Sequence, residues 1–487
     1  MGNIFSENPP PNSKSSVRAV PVGSGLNSKE SDAVRHLYES WRSEGQGAVT
    51  LSVLKVHIPV AHLPDSLLAE TSTADSFIIA VGSLCKPATP RVLLETLYNF
   101  AQSRSQAIDE PLLRVLFEMV HDISLWGIEP PVPSATGDSI AKKMAQFALL
   151  RAQFSAKAGS NSTDGGEAPS FDLTAFVLYS NDWLPGLSKA VVSFAIYLFL
   201  PFDNKSNGST FVPFFAPTLL DGGYAIVKPQ DLVPLALYCT LMQGRLRRLY
   251  SSNLDGNSFS AISQSVVGWA GPTLILVRPR LPKAATDKQR EAGVIFGAVA
   301  TERWHEDRKY FGSSSSFLFT LSPELRLLPV RGSDTNYQWL NTRGHNPKTH
   351  GLAMGGSSDF RNPRLFLPSS LDECFVGSNC STFQPGALAP SWALRSTGTG
   401  GGGGGGVSVS DTADSVNIDC LEIWAIGGDK AISNAQAARG VTRELNEDTL
   451  QKARRVDRAA FFGSKFDREM FLGKTFAHQS ESDGRES

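Results

Sequence analysis

Residues 294–321 constrain this chain more than any other stretch. They read Val294-Ile295-Phe296-Gly297-Ala298-Val299-Ala300, then Trp304, then Phe311-Gly312, then Ser316-Phe317-Leu318-Phe319-Thr320-Leu321. Two short runs rich in β-branched and aromatic residues flank a polar connection, the pattern of a β-hairpin or of neighbouring strands in one sheet. Similar runs follow at 325–329, 336–340, 365–367 and 418–424, and Gly271-Pro272 opens another at 273–277. Helix-patterned segments lie before and after. The expectation is an α+β chain with a β-rich centre.

At 487 residues the chain is too long for one ordinary core, so two or three domains are expected. A net charge of −1 provides no bulk attraction to nucleic acid or to anionic membranes, and no nucleic-acid partner is expected. The five cysteines, Cys85, Cys239, Cys374, Cys380 and Cys420, are odd in number and lack C-x-x-C spacing, which argues against a zinc site or a disulfide scaffold. They read as buried thiols, with Cys374 and Cys380 the pair to watch for redox chemistry. No secretory signal is evident. The best apolar run, 190–200, is about half the roughly 20 residues a bilayer requires, and it ends at Pro201. It predicts a buried helix.

The chain opens Met1-Gly2-Asn3-Ile4-Phe5-Ser6, the N-myristoylation pattern, with Gly2 as the acceptor. One myristoyl chain binds membranes only marginally, so a second attachment is required. Residues 1–27 then read as a flexible tether. Residues 28–230 turn helical: Val34, Leu37, Tyr38 and Trp41 recur at spacings of three and four, as do Val92, Leu93, Leu97 and Phe100, then Leu112, Leu113, Leu116, Phe117 and Val120. Residues 45–54 and 164–176 invite an EF-hand reading. With Val49 and Phe171 at the eighth loop position, the twelfth residues are Val53 and Ala175 where calcium needs a bidentate Glu. These segments are expected to be degenerate EF-hand-like helix pairs without calcium.

A β-rich domain is expected over 231–428. Its leading segment, 235–250, predicts an amphipathic helix carrying Arg245, Arg247 and Arg248. Residues 278–290 form a basic insertion with two prolines, an exposed loop whose Arg278, Arg280, Lys283, Lys288 and Arg290 are expected to be simply solvated, the other readings being contact with acidic lipid or with an acidic partner. Residues 396–410 contain an unbroken glycine run, Gly400 to Gly406, and read as a disordered insertion between strands. Residues 429–476 predict a C-terminal helix in which Val441, Leu445, Ala453, Val456 and Ala460 share a face, suited to packing on the domain or docking on a partner. Residues 477–487 read as a disordered tail.

Catalytic patterns are absent from the sequence. There is no G-x-S-x-G elbow and no Walker loop, and the single G-x-G-x-x-G match falls in the polyglycine run without strand–turn–helix context. His305, His345 and His350 lie in polar segments without metal spacing. No catalytic, cofactor-binding or metal residue is assigned, and Gly2 is the one modification site.

The order of motifs from 249 to 424 resembles the TLDc domain family. Matching pieces are Tyr250-Ser251 with Gly256-x-Ser258-Phe259, Gly271-Pro272-Thr273-Leu274, Phe296-Gly297-Ala298, Trp304, Phe311-Gly312 and Ser316-Phe317-Leu318-Phe319. Asn336-Tyr337, Gly351-Leu352-Ala353-Met354-Gly355-Gly356, Ser378-x-Cys380-x-Thr382-Phe383 and Leu421-Glu422-Ile423-Trp424 follow in the family's order. The resemblance implies a sandwich of two antiparallel sheets flanked by helices. It also implies roles in oxidative-stress resistance and in binding the soluble sector of the vacuolar-type proton ATPase, with no established catalytic residues. The Met-Gly-Asn start, helical region, TLDc order and helical tail together resemble the lysosome- or vacuole-associated branch, which includes the myristoylated mTOR-associated eak-7-like proteins.

The resulting expectation is a non-enzymatic peripheral regulator held by N-myristoyl on the cytoplasmic face of lysosomal, vacuolar or other endomembranes, with a cytosolic pool. It would modulate pump assembly or activity and touch an mTOR-type signalling complex. The alternatives are a scaffold of a lysosomal kinase complex, or an antioxidant enzyme using Cys374 or Cys380.

Overall fold

The computed structural model describes residues 20–22, 24–45, 73–102, 134–159, 172–200, 217–220, 225–307, 309–332, 334–342, 349–357, 363–395 and 414–427, with parts of 113–121. Gly2, the polyglycine run and the expected C-terminal helix lie outside these residues, as do His345 and, of the two EF-hand-like segments, residues 46–54 and 164–171. At the end of the second loop Asp172 caps a helix, accepting the Ala175 N–H at 2.7 Å.

The helical region forms as its periodicity predicts. Helix α1 (Ser28–Glu44) begins at a capping box in which Asn27 and Glu30 each satisfy the other's backbone N–H. Its Val34, Tyr38 and Trp41 are buried against α2 (Ala74–Cys85) and the later helix Leu187–Phe199, where Phe77 meets Trp41 and Phe199 edge to face. Salt bridges Arg35–Asp75 and Lys86–Glu30 join the two helices. Then come α3 (Pro90–Gln102), α4 (Ser134–Gly159), α5 (Leu173–Trp183) and α6 (Leu187–Phe199). The last of these is the buried helix expected from 190–200.

Strands β1 (Thr218–Leu220) and β2 (Arg245–Ser251) pair in parallel, and all other strand pairs are antiparallel. The expectation for 235–250 is corrected here. Only Val233–Tyr238 is α-helical (α7); a 3-10 turn at Thr240–Met242 and a positive-φ Gly244 follow, and the three arginines lie at the start of β2. The short strand β1 lies between the last helix of the helical region and α7.

Two short helices, α8 (Phe259–Val267) and α9 (Asp287–Ala292), flank β3 (Thr273–Pro279). Strands β4 (Ile295–Ala300), β5 (Phe317–Ser322) and β6 (Arg326–Pro329) extend the first sheet in the order β6-β5-β4-β3. Strands β7 (Gln338–Asn341), β8 (Gly351–Met354), β9 (Leu365–Pro368) and β10 (Glu373–Val376) make a second. The two are continuous through β11 (Asp414–Ala425). Its first residues pair with β10, its remainder with β3 and β2, and the register shifts between Ile418 and Cys420 as it passes from one sheet to the other. An irregularity of this kind bends a strand, allowing one strand to serve two layers.

The near-continuous apolar runs of β3, β4 and β5 reflect burial on both faces. Ile275, Val277, Phe296, Ala298 and Leu318 face the second sheet, packing with Leu352, Leu367, Val376 and Ile423. Leu274, Leu276, Val299, Phe317 and Phe319 face the opposite way, into a core shared with α3, α4, α5, α6 and α7. Each fully buried side chain of this kind is worth about 1.5–3 kcal/mol, so the helical region is part of what holds the sheet. Two cations seal the junction: Lys143 Nζ donates to Leu321 O at 3.1 Å and Arg151 Nη2 to Leu327 O at 3.0 Å. The Arg151 guanidinium also lies 4.1 Å over the Trp183 ring.

Candidate functional site

The basic insertion is more structured than an open loop. Arg278 closes β3 and pairs with Asp419 at 2.9 Å across to β11. Thr286 caps α9 through a capping box with Gln289. Arg290 then folds back, donating to the carbonyls of Pro282 and Lys283. Two of the five cations therefore hold the loop together, while Arg280, Lys283 and Lys288 are exposed on it. A compact, preformed loop presenting three cations is suited to an acidic partner, since little chain entropy is lost on docking.

The cysteines stand apart from one another chemically. All five are free thiols. Cys374 is fully buried in the core between the sheets, and burial raises its pKa well above the ordinary thiol value. Burial likewise pushes Cys85 up to about 12 and raises Cys239 and Cys420. A thiol held protonated and sealed from solvent is a poor nucleophile, so Cys374 is an ill-suited peroxidatic residue in this state. Cys380 is half-buried on the loop after β10, and its Sγ accepts the Phe383 N–H at 3.2 Å. His305 is exposed and lies against the Phe311 ring. Among the described residues no group of three or more His, Cys, Asp or Glu is placed to hold a metal.

Two fully buried charged residues organise distant backbone segments, and neither role is visible in the sequence pattern. Arg364, fully buried, donates from Nη2 to Gln384 O at 3.0 Å and Gly386 O at 2.8 Å, and from Nη1 to Gly377 O. Its guanidinium thus gathers the loop 377–386 that contains Cys380. Desolvation lowers its pKa to about 10, leaving it charged at neutral pH. An arginine directly before an apolar strand is ordinarily read as exposed, and only the fold reveals the three carbonyls.

Glu422 is the second. It lies on the helix-facing side of the first sheet, fully buried, with Oε2 accepting Ile226 N–H at 3.1 Å and Trp424 Nε1–H at 3.0 Å. Desolvation raises its pKa; the two hydrogen bonds, Arg248 and Arg278 oppose the rise. A carboxyl whose pKa is raised by folding binds its proton more tightly in the folded state. Its contribution to stability therefore falls as pH rises from the ordinary carboxylate range through the folded value. Glu422→Gln should remove that loss. Urea midpoints measured from acidic to neutral pH should show wild type losing ground to the variant as pH increases; parallel curves would mean that Glu422 is not desolvated.

Compared with known proteins, residues 226–427 match the family model described as the TLDc domain. Residues 226–427 are thus a TLDc domain, joined to a helical region that shares its core. Among curated proteins, the chain is similar to MTOR-associated protein MEAK7 of Xenopus laevis, 30% identical over 212 residues, covering 44% of this chain and 38% of that protein. The same protein of Danio rerio is 30% identical over 181 residues, covering 37% and 32%. Restriction of telomere capping protein 5 of Leptosphaeria maculans is 25% identical over 284 residues, covering 48% and 43%. The chain spans less than half the length of each of these relatives.

Proposed function

We propose that the chain is a non-catalytic peripheral regulator that binds the soluble sector of a vacuolar-type proton ATPase and modulates its assembly or activity. Mutually linked outputs in mTOR-type nutrient signalling and oxidative-stress resistance complete the reading. The observation that carries it is the TLDc match over 226–427, whose buried polar groups, Arg364 and Glu422, are engaged in holding the fold. The mTOR association in the names of the vertebrate relatives supports the signalling arm, and equally favours a second reading as scaffold of a lysosomal kinase complex.

Attachment to the cytoplasmic face of an endomembrane rests on Gly2. Ser24 and Leu26 are buried on the helical body, so an acyl group on Gly2 lies within about 75 Å of that point at full extension. No described helix is long and apolar enough to cross a membrane. A single acyl chain binds reversibly, so Gly2→Ala is expected to move the protein from the membrane to the soluble fraction. Mass spectrometry of partners from the two fractions tests the reading. Pump subunits recovered with wild type support it, a kinase complex without the pump favours the scaffold, and neither would contradict both.

A further inference from the structure

A cleft of about 610 Å³ opens where the helical region meets the TLDc sheet. Helix α4 forms one wall with Lys142 and Lys143. The turn after β5 and helix α9 form the other, with Lys288 and Glu291, and Asp231 also lines the cleft. The volume is that of a small-molecule site, and junctions between structural units are where such sites concentrate.

The lining sorts by chemistry. Ile140, Pro234, Ile295, Leu321, Pro323 and Leu325 give it an apolar side. Lys143 is half-buried, with Nζ donating to Leu321 O at 3.1 Å and to Ser322 Oγ at 3.4 Å. An ammonium has three donors, so one remains for a ligand. Lys142 and Lys288 are exposed on opposite walls. Against these cations stand two carboxylates: Asp231, whose Oδ2 already accepts the Lys228 N–H at 2.8 Å, and Glu291. Three ammoniums and two carboxylates leave one positive charge in excess, beside an apolar surface.

We propose that this cleft binds an anionic amphiphile, a singly charged phosphate headgroup carrying an apolar chain, and so clamps α4 to the TLDc sheet. A phosphodiester carries its single charge on two non-bridging oxygens and adds two weaker ester acceptors, all set tetrahedrally, so lysines arriving from different elements can each reach an oxygen, whereas a carboxylate offers two oxygens in one plane. One negative charge neutralises the excess, and the apolar chain covers the leucine and proline side. The chemistry is the same for a bilayer phospholipid and for a monomeric lysophospholipid. It holds independently of which macromolecular partner the chain has.

The test uses the full chain without an acyl group on Gly2. Its probes are monomeric lysophosphatidylglycerol, neutral lysophosphatidylcholine, and phosphatidylcholine vesicles with and without phosphatidylglycerol. Saturable binding of lysophosphatidylglycerol, weakened about tenfold or more in K142Q/K288Q, is the expected result. Both lysines are exposed, so unfolding of the ligand-free variant should match wild type. Binding to anionic vesicles alone, lost in the double variant, supports the proposal with the bilayer as source. No saturable binding to either anionic probe overturns it, as does equal affinity in K142Q/K288Q or equal affinity for lysophosphatidylcholine.

Discussion

Arg364→Met should be among the most damaging single substitutions in the TLDc domain, costing about 3–5 kcal/mol. The guanidinium is fully buried and serves the carbonyls of Gly377, Gln384 and Gly386. Methionine approximates the volume of the stem but donates nothing, leaving three acceptors in a low-dielectric interior at roughly 1–3 kcal/mol each before relaxation. Some will recover water as the loop 377–386 loosens, which keeps the total below the simple sum. Against a typical stability of about 5–15 kcal/mol, the loss is a large fraction. Arg364→Lys should be only a partial rescue, because one ammonium cannot match the spread of a planar fork. Equilibrium unfolding in urea measures both. A change below about 1 kcal/mol for the methionine variant would mean that the carbonyls find other partners.

Gly297→Ala should be comparably severe, costing at least about 3 kcal/mol. Gly297 occupies the centre of β4, between Leu276 of β3 and Phe319 of β5. A Cβ there would stand 1.8 Å from the Ile275 carbonyl oxygen and 2.9 Å from the Phe319 ring. The first contact is with strand backbone held on both sides by sheet pairing, so it cannot be relieved by a side-chain rotation. Both faces of β4 are buried, which removes the other escape, tilting the strand outward. Thermal unfolding should show a strongly lowered midpoint or loss of the cooperative transition; a midpoint near wild type would show that β3 and β4 separate without penalty. Gly312, at φ +109, is the related case at a turn, where a Cβ would meet the Gln338 amide at 2.7 Å.

These two positions mark how far the sequence could be read. Gly297 was legible as a close-approach glycine, because it interrupts an otherwise apolar strand. The strands themselves were legible for the same reason: Ile295-Phe296 and Phe317-Leu318-Phe319 are too short for helices and too apolar for loops. The sandwich arrangement followed from the motif order rather than from periodicity. The helical expectation for 235–250 fails because Leu235, Tyr238, Met242, Leu246 and Leu249 share a helical face at 100° per residue, while Leu246 and Leu249 lie in a strand; short apolar segments are ambiguous in this way. Gly244, at positive φ, was the available stop signal.

Periodicity identifies which side of a helix is buried, and says nothing about what buries it. That Phe147 and Tyr238 pack in the core containing Phe317 therefore emerged only in the fold. The charged groups were the least legible. Arg364, Glu422 and Lys143 are ordinary polar letters in the sequence, and their roles depend on carbonyls and backbone N–H groups contributed by distant segments.

The proposed function is binding to a proton pump's soluble sector. Equilibrium binding of the purified full chain to the purified soluble sector tests it most directly, with pump ATP hydrolysis followed in the same titration. Saturable, stoichiometric association with a change in hydrolysis or subunit dissociation at the same concentrations is the predicted result. No saturable association with an intact, active sector would contradict the account.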